Sequence, residues 1–185
     1  MLSFNKRGQR MKYKEEIIRA MNWLGEKKDT LFLGQSVRFP GTGLFWTIEG
    51  VPDEKKVELP IFEDTQMGMS LGMALEGYTP VSIYPRCDFL ILAYNQLMNH
   101  LDLMEEMSDG QFKPKVIIRT AIGSTKPLFP GPQHQKDHSV LLDKFLTNVK
   151  VVVLRDKRMI FDAYKQAYEG EGSTILIEIP DLYET

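Results

Sequence analysis

The chain has a single cysteine, Cys87. Alone it can close no internal disulfide and build no cysteine zinc cluster, so a reducing compartment is expected. A basic excess is also missing. Lys plus Arg number 23 against 25 for Asp plus Glu, a formal net charge of −2, so binding driven by nucleic-acid phosphates is not expected. No apolar run approaches the ~18 residues that a membrane-spanning helix needs, which argues against a membrane partner. Met1 to Tyr13 is polar and basic and lacks the apolar stretch of a secretory signal, so the expected location is cytoplasmic. The chain contains no Gly-x-x-x-x-Gly-Lys-[Ser/Thr] loop and no Gly-x-Gly-x-x-Gly fingerprint; Gly41-Thr42-Gly43 is only a fragment of such a cradle. What is present is ordinary globular composition over 185 residues, 43% hydrophobic and 26% charged. That is enough for one domain with a core of its own.

Hydrophobic spacing divides the chain into alternating strands and helices. Residues 1–12 read as an N-terminal arm and 13–185 as a single domain. Ile17, Ile18, Met21 and Leu24 share one helical face, and Gly25 is a plausible stop. Thr30–Leu33, Lys56–Pro60, Val81–Tyr84, Val116–Arg119, Val149–Leu154 and Thr174–Ile179 read as strands, most of them as short apolar runs. Val149–Leu154 is nearly all apolar, which suits a strand buried on both faces. Helices are expected around Met67–Leu75, with Gly68 and Gly72 four apart, over Phe89–Met107, in Leu141–Phe145 and over Met159–Tyr168. Strands alternating with helices imply an α/β fold, three layers α/β/α around a mostly parallel sheet. Ligands in such sheets bind beyond the carboxyl ends of the strands. The segments to inspect are therefore 34–55, 61–64, 85–89 and 120–138. Two of these are long loops, which are frequently functional or bound by a partner.

Chemistry-bearing residues cluster in those segments. Glu63 opens a helix directly after a strand. A helix-start carboxylate shared with Asp64 explains it structurally, and a carboxylate that manages a ligand proton explains it functionally. Asp88 reads as the N-cap of the helix beginning at Phe89; Phe89 can stack on a flat ring or enter the core. His134 and His138 lie in Gly131-Pro132-Gln133-His134-Gln135-Lys136-Asp137-His138, where packing explains a histidine less well than it explains His100 on a helix. His134 can exchange protons near neutral pH. With Asp137 the two histidines contain metal-ligand types, yet they complete no fixed-spacing zinc motif, and no metal ligand is assigned. Cys87 has no nucleophile signature around it and reads as a passive thiol.

The order of these features is specific. Pro-Ile-x-Glu opens a Gly-containing helix, and Glu-Gly-Tyr-Thr-Pro-Val follows. An Asp-aromatic pair then starts a helix with Asn95-Gln96. A strand ending Ile-Arg-Thr comes next, then a Gly-rich loop with Pro-Gln-His. From about Tyr13 to Asp181 the chain resembles the pyrimidine-binding domain of thiamine-diphosphate-dependent, transketolase-like enzymes. It is most similar to the 2-oxoacid dehydrogenase beta subunits, without their C-terminal domain. The resemblance implies the thiamine-diphosphate-binding fold. It matches Glu63 to the glutamate that hydrogen-bonds N1′ of the aminopyrimidine; sharing that proton lets the exocyclic nitrogen take the thiazolium C2 proton. It matches Phe89 to the aromatic packed on the pyrimidine, Ile61 to a residue whose backbone lies near it, and His134 to a histidine facing the substrate.

The chain departs from the family pattern at Gln135-Lys136 in place of Ser-Gln, at Arg86-Cys87 in place of Phe-Ala, and at Phe62 in place of a small serine. The Gly-Asp-Gly motif and later Asn that hold Mg²⁺ and the diphosphate do not occur in it. The resemblance therefore implies a split enzyme, acting as a heterotetramer on a small-molecule 2-oxoacid or ketose phosphate. A separate diphosphate-binding subunit would carry the Gly-Asp-Gly motif and hold most of the Mg²⁺, and the chain alone would be inactive. The alternatives are a non-catalytic scaffold or regulatory subunit on the same domain, and an unrelated flavodoxin-like binding domain.

Overall fold

The computed structural model describes residues 11–126 and 129–185; most of the expected arm lies outside them. Its last residue, Lys12, is engaged. The backbone N–H donates to Glu15 at 2.8 Å and the ammonium pairs with Glu184 at 2.7 Å. The helices are α1 (Tyr13–Gly25), α2 (Glu63–Leu75), α3 (Cys87–Leu90), α4 (Met104–Met107), α5 (Ser139–Phe145) and α6 (Lys157–Glu169). The strands are β1 (Thr30–Gly34), β2 (Lys56–Glu58), β3 (Thr79–Ile83), β4 (Ile117–Ala121), β5 (Lys150–Val153) and β6 (Thr174–Glu178).

All six strands are parallel and lie in the order β2-β1-β3-β4-β6-β5. Side chains alternate across the sheet. Phe32, Val81, Ile117 and Leu176 pack with α1 and α6 on one face. Ile118, Ile175 and Ile177 pack with α2, α3 and α5 on the other. The result is the expected three-layer α/β/α architecture. No helix among the described residues is long and apolar enough to cross a membrane.

Two expectations need correction. β5 is not buried on both faces; it is the edge strand, with Lys150 exposed and Val151 to Val153 half-buried. The cause is topological: β6, which follows β5 in the chain, inserts between β4 and β5. The single helix expected over Phe89–Met107 is broken. It starts at Cys87, tightens to a 3₁₀ turn at Ile91–Ala93, widens to a π-helical stretch at Asn95–Leu101 and resumes as α4. Widened turns of this kind are rare and frequently sit at functional sites.

Chain direction changes sides between β1 and β3. β1 is followed by β2 on one side, and β3 by β4 on the other. The crevice at such a switch is where ligands of open α/β sheets bind.

Candidate active-site cleft

A cleft of about 960 Å³ opens beyond the carboxyl ends of β1, β3, β4 and β6. Ile61, Glu63, Phe89 and His134 all line it, so the structure brings together the four residues singled out from the sequence. They come from three separate segments. Lys14, Thr42, Trp46, Arg86, Lys126 and Tyr183 are further parts of its wall.

Glu63 is the first residue of α2 and is half-buried. Its backbone is fixed from below. The buried Tyr84 hydroxyl donates to the Glu63 carbonyl at 3.2 Å, and burial pushes the Tyr84 phenol well above its ordinary value. One turn on, the buried Gln66 amide donates to Ser82 Oγ at 3.1 Å and to the Ile83 carbonyl at 3.0 Å. This anchors α2 across the ends of β1 and β3. Gly34 makes the approach possible: its φ is +150°, and an added Cβ would fall 2.4 Å from the Ile83 carbonyl oxygen. Ile61 and the neighbouring Phe62 are 62% and 63% exposed at the rim.

Phe89 and His134 meet edge to face, with ring centroids 5.3 Å apart. The Arg86 guanidinium donates to the His134 carbonyl at 3.2 Å. His134 Nδ1 is closed off from solvent and has no hydrogen-bond partner, and Thr42 Oγ1 in the same wall is likewise unpartnered. Such atoms are costly unless a ligand or water satisfies them.

Asp88 does not act as the expected N-cap. Arg86 holds that position, and its side chain makes no capping bond. The Asp88 side chain is 9% exposed and faces His138, with Oδ1 3.7 Å from Nε2. Cys87 is fully buried, and burial pushes its thiol up to about 12; it remains a protonated, passive thiol at neutral pH. Among the described residues no three His, Cys, Asp or Glu side chains converge as a metal site.

Sequence reasoning missed the floor beneath the cleft. Arg119, midway along β4, and Glu178, the last residue of β6, are completely buried and form an ion pair with two N–H···O bonds. Tyr164 and Tyr183 donate to the same carboxylate. Arg119 also donates to Thr47 Oγ1 at 2.7 Å, holding the turn that presents Trp46 to the cleft. The only signal in the sequence was two charges inside strands that otherwise read as buried.

No family model matches the chain. Beta-4 of the rice (Oryza sativa subsp. japonica) chloroplastic pyruvate dehydrogenase E1 component is 30% identical over 134 residues, 71% of this chain and 32% of that protein. The E1 beta subunit of Gracilaria tenuistipitata var. liui is 32% identical over 134 residues, 71% of this chain and 40% of that protein. The chain is homologous to pyruvate dehydrogenase E1 beta subunits. It spans between about a third and two fifths of the length of these relatives. A split-gene transketolase in an inactive beta4 tetramer has the same fold. The TM-score is 0.69 at 21% identity, covering 90% of this chain and 51% of that one. Transketolase from Campylobacter jejuni subsp. jejuni NCTC 11168 also gives a TM-score of 0.69, at 15% identity, covering 90% of this chain and 25% of that one. The chain therefore has a transketolase-like fold.

Proposed function

We propose that residues 13–185 form one pyrimidine-binding domain that supplies half of a thiamine-diphosphate site. The chain would act as one subunit of a hetero-oligomeric enzyme working on a 2-oxoacid or ketose phosphate. One observation carries the reading: Ile61, Glu63, Phe89 and His134, from three distant segments, line a single cleft at the strand ends. Homology to pyruvate dehydrogenase E1 beta subunits supports the same class of cofactor.

The residues present fit the flat, nitrogen-bearing end of that cofactor. A half-buried carboxylate, an aromatic ring and an unpartnered imidazole nitrogen share one wall. When bound, the cofactor supplies the electron sink for cleaving a bond next to a carbonyl. In this reading Glu63 holds a proton against the ring nitrogen, and Ile61 and Phe89 fix the ring by contact. His134 moves a proton on the substrate. Lys14, Arg86 and Lys126 line the same cleft and form no ion pair among the described residues, which suits an anionic substrate.

The described residues offer no converging carboxylates for a cation. In this reading Mg²⁺ and the diphosphate belong to a partner subunit carrying a Gly-Asp-Gly motif, in a heterotetramer. The buried Cys87 suits a reducing compartment. The cytoplasm is the proposed one, although the rice relatives carry chloroplastic names.

Replacing Glu63 by Gln in the complex reconstituted with its partner tests the reading. Activity is expected to fall by about 10²–10⁴, the usual range for losing a positioned proton carrier. A fully active Glu63→Gln complex overturns the catalytic reading in favour of a scaffold or regulatory subunit.

A further inference from the structure

We propose that Arg86 is a positioning residue for His134 and the anchor of a clamp that sets the loop carrying His134 before any ligand arrives. The functional meaning of this rests on the reading of His134 as a site residue; the clamp itself does not.

Four consecutive side chains at the head of α3 face the loop that carries His134. The Arg86 guanidinium donates to the His134 carbonyl. The Cys87 thiol faces the His138 backbone amide. Asp88 lies 3.7 Å from His138 Nε2 with its side chain nine-tenths buried. The Phe89 ring meets the His134 imidazole at 66°. The opposite side of the loop is closed by the segment after β4. A Cβ on Gly123 would fall 1.6 Å from the His134 carbonyl oxygen, so backbone lies directly on backbone there. The Gln135 amide donates to the Ser124 carbonyl at 3.3 Å.

The His134 carbonyl is thus held between Gly123 and the Arg86 guanidinium. Its ring is held differently: Nδ1 has no hydrogen-bond partner, so no bond at that atom sets the rotation of the imidazole. Its orientation follows from where the backbone is fastened and from contact with Phe89. Arg86 is the lever because its side chain supplies a charged donor to that backbone, and its charge has no ion-pair partner among the described residues. A charge-assisted bond of this kind is stronger than a neutral one.

The chain has three histidines, so imidazole resonances of ¹³C-histidine-labelled full-length protein can be followed individually. His134→Gln assigns the relevant one. His100, on the π-helical stretch, serves as the internal control for the fold. Arg86→Met keeps the apolar stem and removes every donor; Arg86→Lys keeps a charged donor. Arg86→Met is expected to shift the His134 resonance while His100 stays in place. It should also speed tryptic cleavage after the exposed Lys136 by about tenfold, as local opening of the loop requires. Arg86→Lys is expected to stay near wild type in both. An Arg86→Met protein with His134 resonance and Lys136 cleavage unchanged overturns the proposal. A shifted His100 resonance together with a lowered unfolding midpoint overturns it as well, because Arg86 then supports the fold and not the loop. Failure of the functional reading shows separately, as full activity of the His134→Gln complex.

Discussion

Arg119 and Glu178 place two full charges where solvent does not reach. Desolvating such a pair is expensive, and it persists because its hydrogen bonds are nearly complete. Both carboxylate oxygens of Glu178 are bonded, by Arg119, Tyr164 and Tyr183. Glu178→Gln keeps the shape and removes the countercharge. It is expected to cost about 3–5 kcal/mol, the usual result of stranding a buried charge, measured by urea unfolding. Their pairing did not stand out in the sequence, because a charge inside an apolar strand looks the same whether it points to solvent or to a partner two strands away in the chain. Glu63, Phe89 and His134 were legible for the opposite reason. Each follows a strand end or sits in a long polar loop, and those positions converge in any parallel sheet. Asp88 has the local pattern of a cap, while the histidine its carboxylate faces lies fifty positions on, beyond local reasoning.

At the scale of elements, the four inner strands were readable from short apolar runs, since parallel strands buried between helices have that composition, whereas the edge strands β2 and β5 are only partly buried. The long helix was not readable in detail. Leu90, Tyr94, Leu97, Leu101 and Met104 keep an apolar face through the 3₁₀ and π-helical turns, so the pattern hides the change of pitch. What stabilises its far end was also hidden. The buried Asp102 carboxylate accepts the backbone N–H groups of Thr147, Asn148 and Val149, fastening the end of this segment to the start of β5. The glycine after β4 is more telling. Gly123 lies under the His134 loop with no room for a side chain. Gly123→Ala is expected to cost about 1–3 kcal/mol, as overpacking against backbone does. The same substitution should raise tryptic cleavage at Lys136 more than the global loss of stability predicts; denaturation and timed proteolysis of one sample compare the two.

For the whole molecule, the tyrosines set the alkaline limit. Burial, the first cause in every case, raises Tyr13, Tyr84, Tyr94, Tyr164, Tyr168 and Tyr183 above the ordinary phenol value, Tyr168 to about 12. A raised folded value means that the unfolded chain ionises first. The stabilisation is complete below about pH 10, where both states are protonated, and is lost as pH rises from there through the folded values. The unfolding midpoint is expected to fall steeply above about pH 10. Ultraviolet titration should show these phenolates arriving with unfolding and not before it; ionisation of all of them in the native state would contradict their burial.

The strand order carries a further consequence, for synthesis. β5 touches the sheet only through β6, yet β6 is translated after it, behind α6. While the chain grows, Lys150-Val151-Val152-Val153 leaves the ribosome with its partner still to come. For that interval the nascent chain displays a β-prone valine run beside an open edge on β4, a surface that invites pairing with a neighbour on the same message.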